Sequence, residues 1–138
     1  MKAVFADTFY WVALTNPADS RYHDAVAVDG ALADVATVTT DEVLSEFLRF
    51  FAEDAWLRNR AARTVKELLK DPDVLIVPQS RESFLDGLEL YQQRADKEYS
   101  LTDCISMQTM RRHAITEALT NDRHFEQEGF RALFRLVT

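Results

Sequence analysis

The sequence predicts an α/β fold: a three-layer α/β/α sandwich with a mostly parallel central sheet of about five strands. Three observations predict it. Short apolar or β-branched runs alternate with helix-periodic segments along the whole chain. Several of these runs end in residues that start helices, such as Asp7, Thr39-Thr40 and Asn121-Asp122. The 138 residues, 47% of them hydrophobic, suit one domain (1–138) with a substantial core, and three Gly with three Pro leave little for long linkers.

In chain order, the first strand spans about Lys2 to Asp7. The run Phe9 to Leu14 forms a short helix stopped by Asn16-Pro17. Asp19-Ser20 starts another, with Tyr22, Ala25, Val26 and Val28 at apolar positions and Gly30 weakening its far end. Val35 to Thr39 is the second strand. Thr39 with Glu42 three residues on predicts a capping box, opening a helix that carries Val43, Leu44, Phe47, Leu48, Phe50 and Phe51. Asp54 caps the next helix, which runs to about Lys70 with Trp56, Leu57, Val65, Leu68 and Leu69, and a basic face of Arg58, Arg60, Arg63 and Lys66.

Asp71-Pro72-Asp73 breaks that helix, and Val74 to Val77 is a fully apolar third strand closed by Pro78. Ser80 to Arg94 is amphipathic, with Phe84, Leu85, Leu88 and Tyr91 at helical spacing. Ser100-Leu101-Thr102-Asp103 is a second box-like start, for a helix through Ile105, Met107 and Met110 to His113. Ile115 to Thr120 is the fourth strand, Asn121 to Phe125 opens a short helix ended by Gly129, and Phe130 to Val137 is the fifth strand.

The net charge of -7, from 16 Lys+Arg against 23 Asp+Glu, argues against a general electrostatic nucleic-acid binder. It leaves room for an acidic site that holds a cation and grips nucleic acid locally, and it suits a basic partner segment. The single cysteine, Cys104, excludes an intrachain disulfide. Asp7 interrupts the N-terminal apolar run, which is too short for a signal peptide, and no stretch approaches the roughly 20 apolar residues of a membrane span. These features predict a cytoplasmic protein with no membrane association.

Asp7, Asp103 and Asp122 each lie where a strand or loop gives way to a helix. Taken singly, a helix cap worth about 1 kcal/mol explains any of them. Glu46 sits inside its helix, with Val43, Phe47 and Phe50 around it; an acid bordering an apolar face needs a partner. Glu42 is accounted for by the capping box, and Asp41 by the helix dipole. In a parallel sheet the C-terminal ends of all strands share one edge. Asp7 ends the first strand, Asp122 follows the fourth, and Glu46 is about one and a half turns beyond the second. Asp103 reaches that edge only if the chain crosses back over it. Carboxylates brought together repel and raise one another's pKa. A hard divalent cation relieves this, and oxygen-only ligands suit Mg²⁺ or Mn²⁺. Such a site polarises a phosphoryl oxygen and activates water for attack on phosphorus. No Cys-His motif, nucleophile elbow or phosphate-cradling Gly loop competes.

The segments F-A-D-T-F-Y-W-V-A-L, T-T-D-E-V-L-S-E-F-L, Y-S-L-T-D-C and A-L-T-N-D-R-H-F-E-Q-E-G-F, in this order, resemble the PIN-domain ribonucleases, especially VapC-type toxins of toxin-antitoxin pairs. The last segment is the most telling. The resemblance covers nearly the whole chain and implies a PIN-like fold and a Mg²⁺- or Mn²⁺-dependent endoribonuclease acting on RNA. It maps the family's acidic residues onto Asp7, Glu46, Asp103 and Asp122, as catalytic groups and metal ligands. Thr8 and Thr120 fall where the family has a hydroxyl beside the metal site; with Arg49 and Arg123 they are the substrate-binding candidates. Asp41 stands where many relatives have Asn. The resemblance also implies a homodimer and a cognate antitoxin that inserts a peptide near the active site.

Other residues carry two readings. Arg123 and His124 approach a phosphate or serve packing and surface. Arg49 contacts substrate or pairs with Glu46. Arg111-Arg112 compensates a helix dipole, and the Arg58 to Lys66 face is solvated or used by RNA. His23 and His113 have no metal-ligand spacing. Cys104 is a small core residue, and Met107 and Met110 belong to core or dimer surface. The rival function is a catalytically weak PIN-like module that binds RNA or protein. A phosphatase or receiver-like domain is disfavoured, because Asp7 lacks a second Asp two residues on.

Overall fold

An apolar run buries both faces only in the middle of a sheet, and Val4, Phe5 and Ala6 are all at most 1% exposed. In the computed structural model, which describes residues 2–135, they form β1 (Ala3–Ala6), the central strand of five. The others are β2 (Ala36–Thr40), β3 (Val74–Val77), β4 (Glu117–Leu119) and β5 (Arg131–Ala132). The order is β3-β2-β1-β4-β5 and every pair is parallel. One row of partners, Leu75, Val38, Phe5, Ala118 and Ala132, crosses the whole sheet.

Helices α1 (Thr8–Thr15) and α2 (Tyr22–Ala31) link β1 to β2, and α3 (Asp41–Phe50) and α4 (Ala55–Lys70) link β2 to β3. Helices α5 (Arg81–Gln93) and α6 (Leu101–Arg112) carry the chain back past β1 to β4, and α7 (Arg123–Gln127) leads to β5. Crossovers of one hand that run in opposite directions cover opposite faces of a sheet. Accordingly α1 packs on α3 and α4, while α5 packs on α6. The chain reverses direction across β1, so the crevice beyond the ends of β1 and β4 is the topological switch point, where open α/β sheets bind ligands.

The expected elements are present, with shifts that have local causes. Thr40 caps α3 alone, accepting from the Val43 amide at 3.1 Å, so Glu42 closes no box with Thr39. Asp41 has a different task from dipole compensation: its carboxylate accepts from the Gln79 amide and ties the start of α3 to the loop after β3. Asp54 caps α4 as expected. Helix α2 starts at Tyr22 rather than Asp19-Ser20, and it continues through Gly30 to Ala31. The fifth strand is only Arg131–Ala132; the chain then tightens into a 3-10 turn, Leu133–Arg135, and the rest of the expected strand, to Val137, lies outside the described residues.

Several apolar side chains expected in the core face outward: Phe50, Trp56, Leu69, Phe84, Leu85, Leu88 and Tyr91. On α5 the packed face is Ser83, Gly87 and Leu90 instead. Gly87 is needed there, because a Cβ would meet Ile105 Cγ1 of α6 at 2.4 Å. Met107 and Met110 are fully buried, which places both in the core rather than at a dimer surface, and Cys104 is buried beside them in the chain. Among the described residues no helix is long and apolar enough to cross a membrane.

Candidate metal centre and active site

Asp7 is the N-cap residue of α1 by position, yet its carboxylate caps nothing. The side chain, 7% exposed, instead accepts from the Thr120 hydroxyl through Oδ2 at 2.8 Å. A helix cap therefore does not explain this residue. Thr120 lies just past β4, is fully buried, and also accepts from the Asp122 amide at 3.1 Å. One hydroxyl thus joins the ends of β1 and β4, where the switch point predicts a site.

Asp122 caps α7 by accepting from the His124 amide at 2.9 Å. Asp103 is the third residue of α6 and closes a reciprocal box with Ser100. Both are helix-end residues with capping hydrogen bonds, but their carboxylates also meet. His124 Nδ1 lies 3.3 Å from Asp122 Oδ1 and 3.7 Å from Asp103 Oδ2. One ligand atom from each of Asp103, Asp122 and His124 falls within 4.8 Å of the others. The return of the chain through α6 therefore does bring Asp103 to the sheet edge.

Glu46 is exposed on α3, so burial is not what gives it a partner. Its Oε1 accepts from the Thr8 hydroxyl at 2.5 Å, one residue from Asp7. Both expected hydroxyls are thus spent on carboxylates. Thr120, with no exposed surface, is placed to position Asp7 rather than to touch a substrate. Arg49 does not pair with Glu46; the two line a shallow groove with Glu42, Ser45, Gln79 and Thr102. That groove continues through Glu42, Gln79 and Thr102 into a larger cleft of about 650 Å³, walled by Ser80, Arg81, Phe84, Leu101 and Ile105. Arg123 is exposed, while its neighbour His124 turns inward.

The electrostatics follow from burial first and from this crowding second. Burial pushes the Asp7 carboxyl up to about 7; the Thr120 hydrogen bond opposes this, and the charges of Asp103 and Glu46 reinforce it. Burial also raises Asp103, followed by the charge of Asp122. Among the described residues no Lys or Arg forms an ion pair with Asp7, Glu46, Asp103 or Asp122; the two contacts to a potential cation are those from His124. A group of carboxylates that lacks a basic partner, two of which, Asp7 and Asp103, resist ionisation, is suited to a divalent cation. The donor set passes one further test, because the Nδ1 atom of His124 is buried against the site with no hydrogen-bond partner.

A second carboxylate has the opposite environment. Burial raises Glu128, but hydrogen bonds from Arg94, Arg111 and Tyr99 outweigh it and take the carboxyl down to about 2. Arg111 is thus committed to Glu128, and Arg112 to Asp86, beyond any helix-dipole role. The sequence gives little warning of this network, since its three donors lie 17 to 34 residues from Glu128. Its link to the site is Tyr99, whose ring packs on His124 at 5.1 Å.

The architecture has solved counterparts. The crystal structure of Mycobacterium tuberculosis VapC20, described as a Sarcin-Ricin loop cleaving toxin, superposes with a TM-score of 0.82. The match has 24% identity and covers 92% of this chain and 95% of that one. No curated protein sequence matches the chain. The parallel sheet, the acidic residues at its switch point and the ordered motifs agree with a sequence-family match: the PIN-domain model matches residues 4–130, and the chain belongs to that family.

Proposed function

We propose that the protein is a metal-dependent endoribonuclease, the toxin of a toxin-antitoxin pair, acting in the cytoplasm. The observation that carries this reading is the convergence of Asp7, Glu46, Asp103 and Asp122 on the switch-point edge of a PIN fold, with Asp7 buried and without a basic partner. Asp103 and Asp122 would hold a Mg²⁺ or Mn²⁺ ion, directly or through water, with Asp7 and Glu46 completing the acidic site. When bound, such an ion would stabilise charge on the phosphoryl oxygens and lower the pKa of water, supplying hydroxide for attack on phosphorus.

The protein's own residues set the geometry. Thr120 fixes Asp7 through Oδ2, and Thr8 fixes Glu46 through Oε1. These bonds fix the orientation of two mutually repelling carboxylates. Arg49 and Arg81 stand along the adjoining groove and cleft and suit the phosphates of a bound strand. Exposed Arg123 is a further phosphate contact. The family reading adds a homodimer and an antitoxin whose segment would enter near the same site. A basic segment suits the chain's net charge of -7.

The test uses purified, antitoxin-free protein. RNA is cleaved with Mg²⁺ or Mn²⁺, and EDTA stops cleavage. Asp7→Asn abolishes cleavage while the circular-dichroism spectrum stays native; full activity in that variant overturns the assignment. A folded protein that binds neither ion at millimolar concentration favours the non-catalytic binding module instead. Sequencing of RNA ends after induction in cells identifies the target, and the sarcin-ricin loop named for VapC20 is the first site to inspect.

A further inference from the structure

We infer that His124 is a nitrogen ligand of the cation held by Asp103 and Asp122, and that it tilts this site toward Mn²⁺ over Mg²⁺. The inference rests on the nuclease reading above and deepens it.

Three observations support it. First, local structure puts the imidazole where a ligand is needed. Asp122 accepts from the backbone amide of His124, so the two side chains emerge from one turn of α7 as a unit. Second, the ring is held. Tyr99 packs against it at 5.1 Å, tilted by 56°. The Tyr99 hydroxyl donates to Glu128 at 2.9 Å, and Arg94 and Arg111 grip that same carboxylate. Metal-binding imidazoles are commonly oriented by an outer partner on the second ring nitrogen; here packing against Tyr99 restrains the ring instead. Third, Nδ1 is buried and satisfies no hydrogen bond, although two carboxylates lie close by. It stands 3.3 Å from Asp122 Oδ1 and 3.7 Å from Asp103 Oδ2. Ligands at about 2.1 Å from a common ion lie roughly 3 to 3.5 Å from one another. The Asp122 separation falls within that range and the Asp103 separation lies just beyond it, so a small inward shift of Asp103 brings three donors onto one ion.

The nitrogen changes which ion the site prefers. Mg²⁺ takes oxygen donors and keeps its waters, so an imidazole adds little for it. Mn²⁺ opens the first transition row, whose divalent ions accept nitrogen donors beside oxygen, although it binds them least tightly of that row. His23 and His113 are exposed, and the chain has no histidine beyond these three. An imidazole signal from the centre thus has one source in the structure.

The experiment is pulsed electron paramagnetic resonance of Mn²⁺ bound to the full chain, read for ¹⁴N modulation from a coordinated imidazole, with calorimetric titration of Mn²⁺ and Mg²⁺. Wild type shows the ¹⁴N modulation. His124→Gln loses it and binds Mn²⁺ at least about tenfold more weakly, while Mg²⁺ affinity changes less than about threefold. Mn²⁺ bound to wild type without ¹⁴N modulation overturns the inference and leaves the nuclease reading standing; this needs no variant, so misfolding of His124→Gln does not blunt it. Modulation that persists in folded His124→Gln also overturns it. Failure of wild type to bind either ion overturns both readings.

Discussion

Asp7 carries an unusual burden for a single side chain: it is a buried acid with a hydroxyl as its hydrogen-bonding side-chain partner. Its folded pKa of about 7 lies above the ordinary carboxylate value of 3.8, so the folded state holds the proton more tightly. The stabilisation is complete below about pH 3.8 and is lost as pH rises through about 7. That gap of about three units corresponds to roughly 4 kcal/mol, an upper figure. Metal-free protein is therefore expected to lose melting temperature as pH rises from 4 to 8, with Asp103 acting in the same direction. Asp7→Asn removes most of that slope and raises the melting temperature at pH 8 in EDTA, although it abolishes cleavage. A slope unchanged in the variant sinks this account. The positions of Asp7, Asp103 and Asp122 were legible in the sequence, because each stands at a strand-to-helix or loop-to-helix junction. What Asp7 does there was not, since a cap and an uncapped buried acid have the same local sequence. Glu46 was singled out as an acid beside an apolar face, but it is exposed and its partner is Thr8, 38 residues away. Contacts of that range are set by the fold, not by neighbours in the chain.

Among the elements, α5 shows where helical periodicity stops being informative. The spacing of Phe84, Leu85, Leu88 and Tyr91 correctly marks a helix, but the packed face is the one with Ser83, Gly87 and Leu90. Apolar periodicity gives the helix and an apolar stripe; it does not say whether the stripe meets the core or stays free. The small residues decide here, because they let α5 approach α6 closely, with Ile105 lying over Gly87. Gly87→Ala is expected to destabilise the fold by about 1–3 kcal/mol through this overlap. Ile105→Ala alone leaves a cavity and costs about 2–4 kcal/mol. Combined, the two cost clearly less than their separate effects together, since each removes the other's defect. Denaturant titrations of the four proteins measure the coupling, and strict additivity would count against close α5–α6 contact as the cause. The strand edges were less legible for a related reason. β4 and β5 are three and two residues long, too short for a period to register.

For the whole molecule, alternation of strand and helix was enough to predict a parallel sheet, but not the order β3-β2-β1-β4-β5, which depends on which way each crossover turns. That order matters, since it creates the crevice between β1 and β4 that gathers the acids. It also leaves α5 with its apolar stripe outward: Leu85, Leu88 and Tyr91 are 52%, 42% and 51% exposed. Two copies that each carry a net charge of -7 repel over most of their surface. A self-complementary contact between them is best made by apolar side chains, and a two-fold axis presents the same stripe, bordered by the exposed Glu82 and Glu89, from both sides. The homodimer implied by the family resemblance is therefore proposed to form through α5. Sedimentation equilibrium at micromolar concentration is expected to give about twice the chain mass for wild type. Leu85→Glu with Leu88→Glu should give a monomer, because buried carboxylates would face one another across the axis. Since both side chains are exposed in the single chain, the variant's melting temperature at low concentration should stay within a few degrees of wild type. A monomeric wild type, or a double variant that still dimerises, would remove α5 as the interface. The acidic site is built within one chain, so it would remain as described in either case.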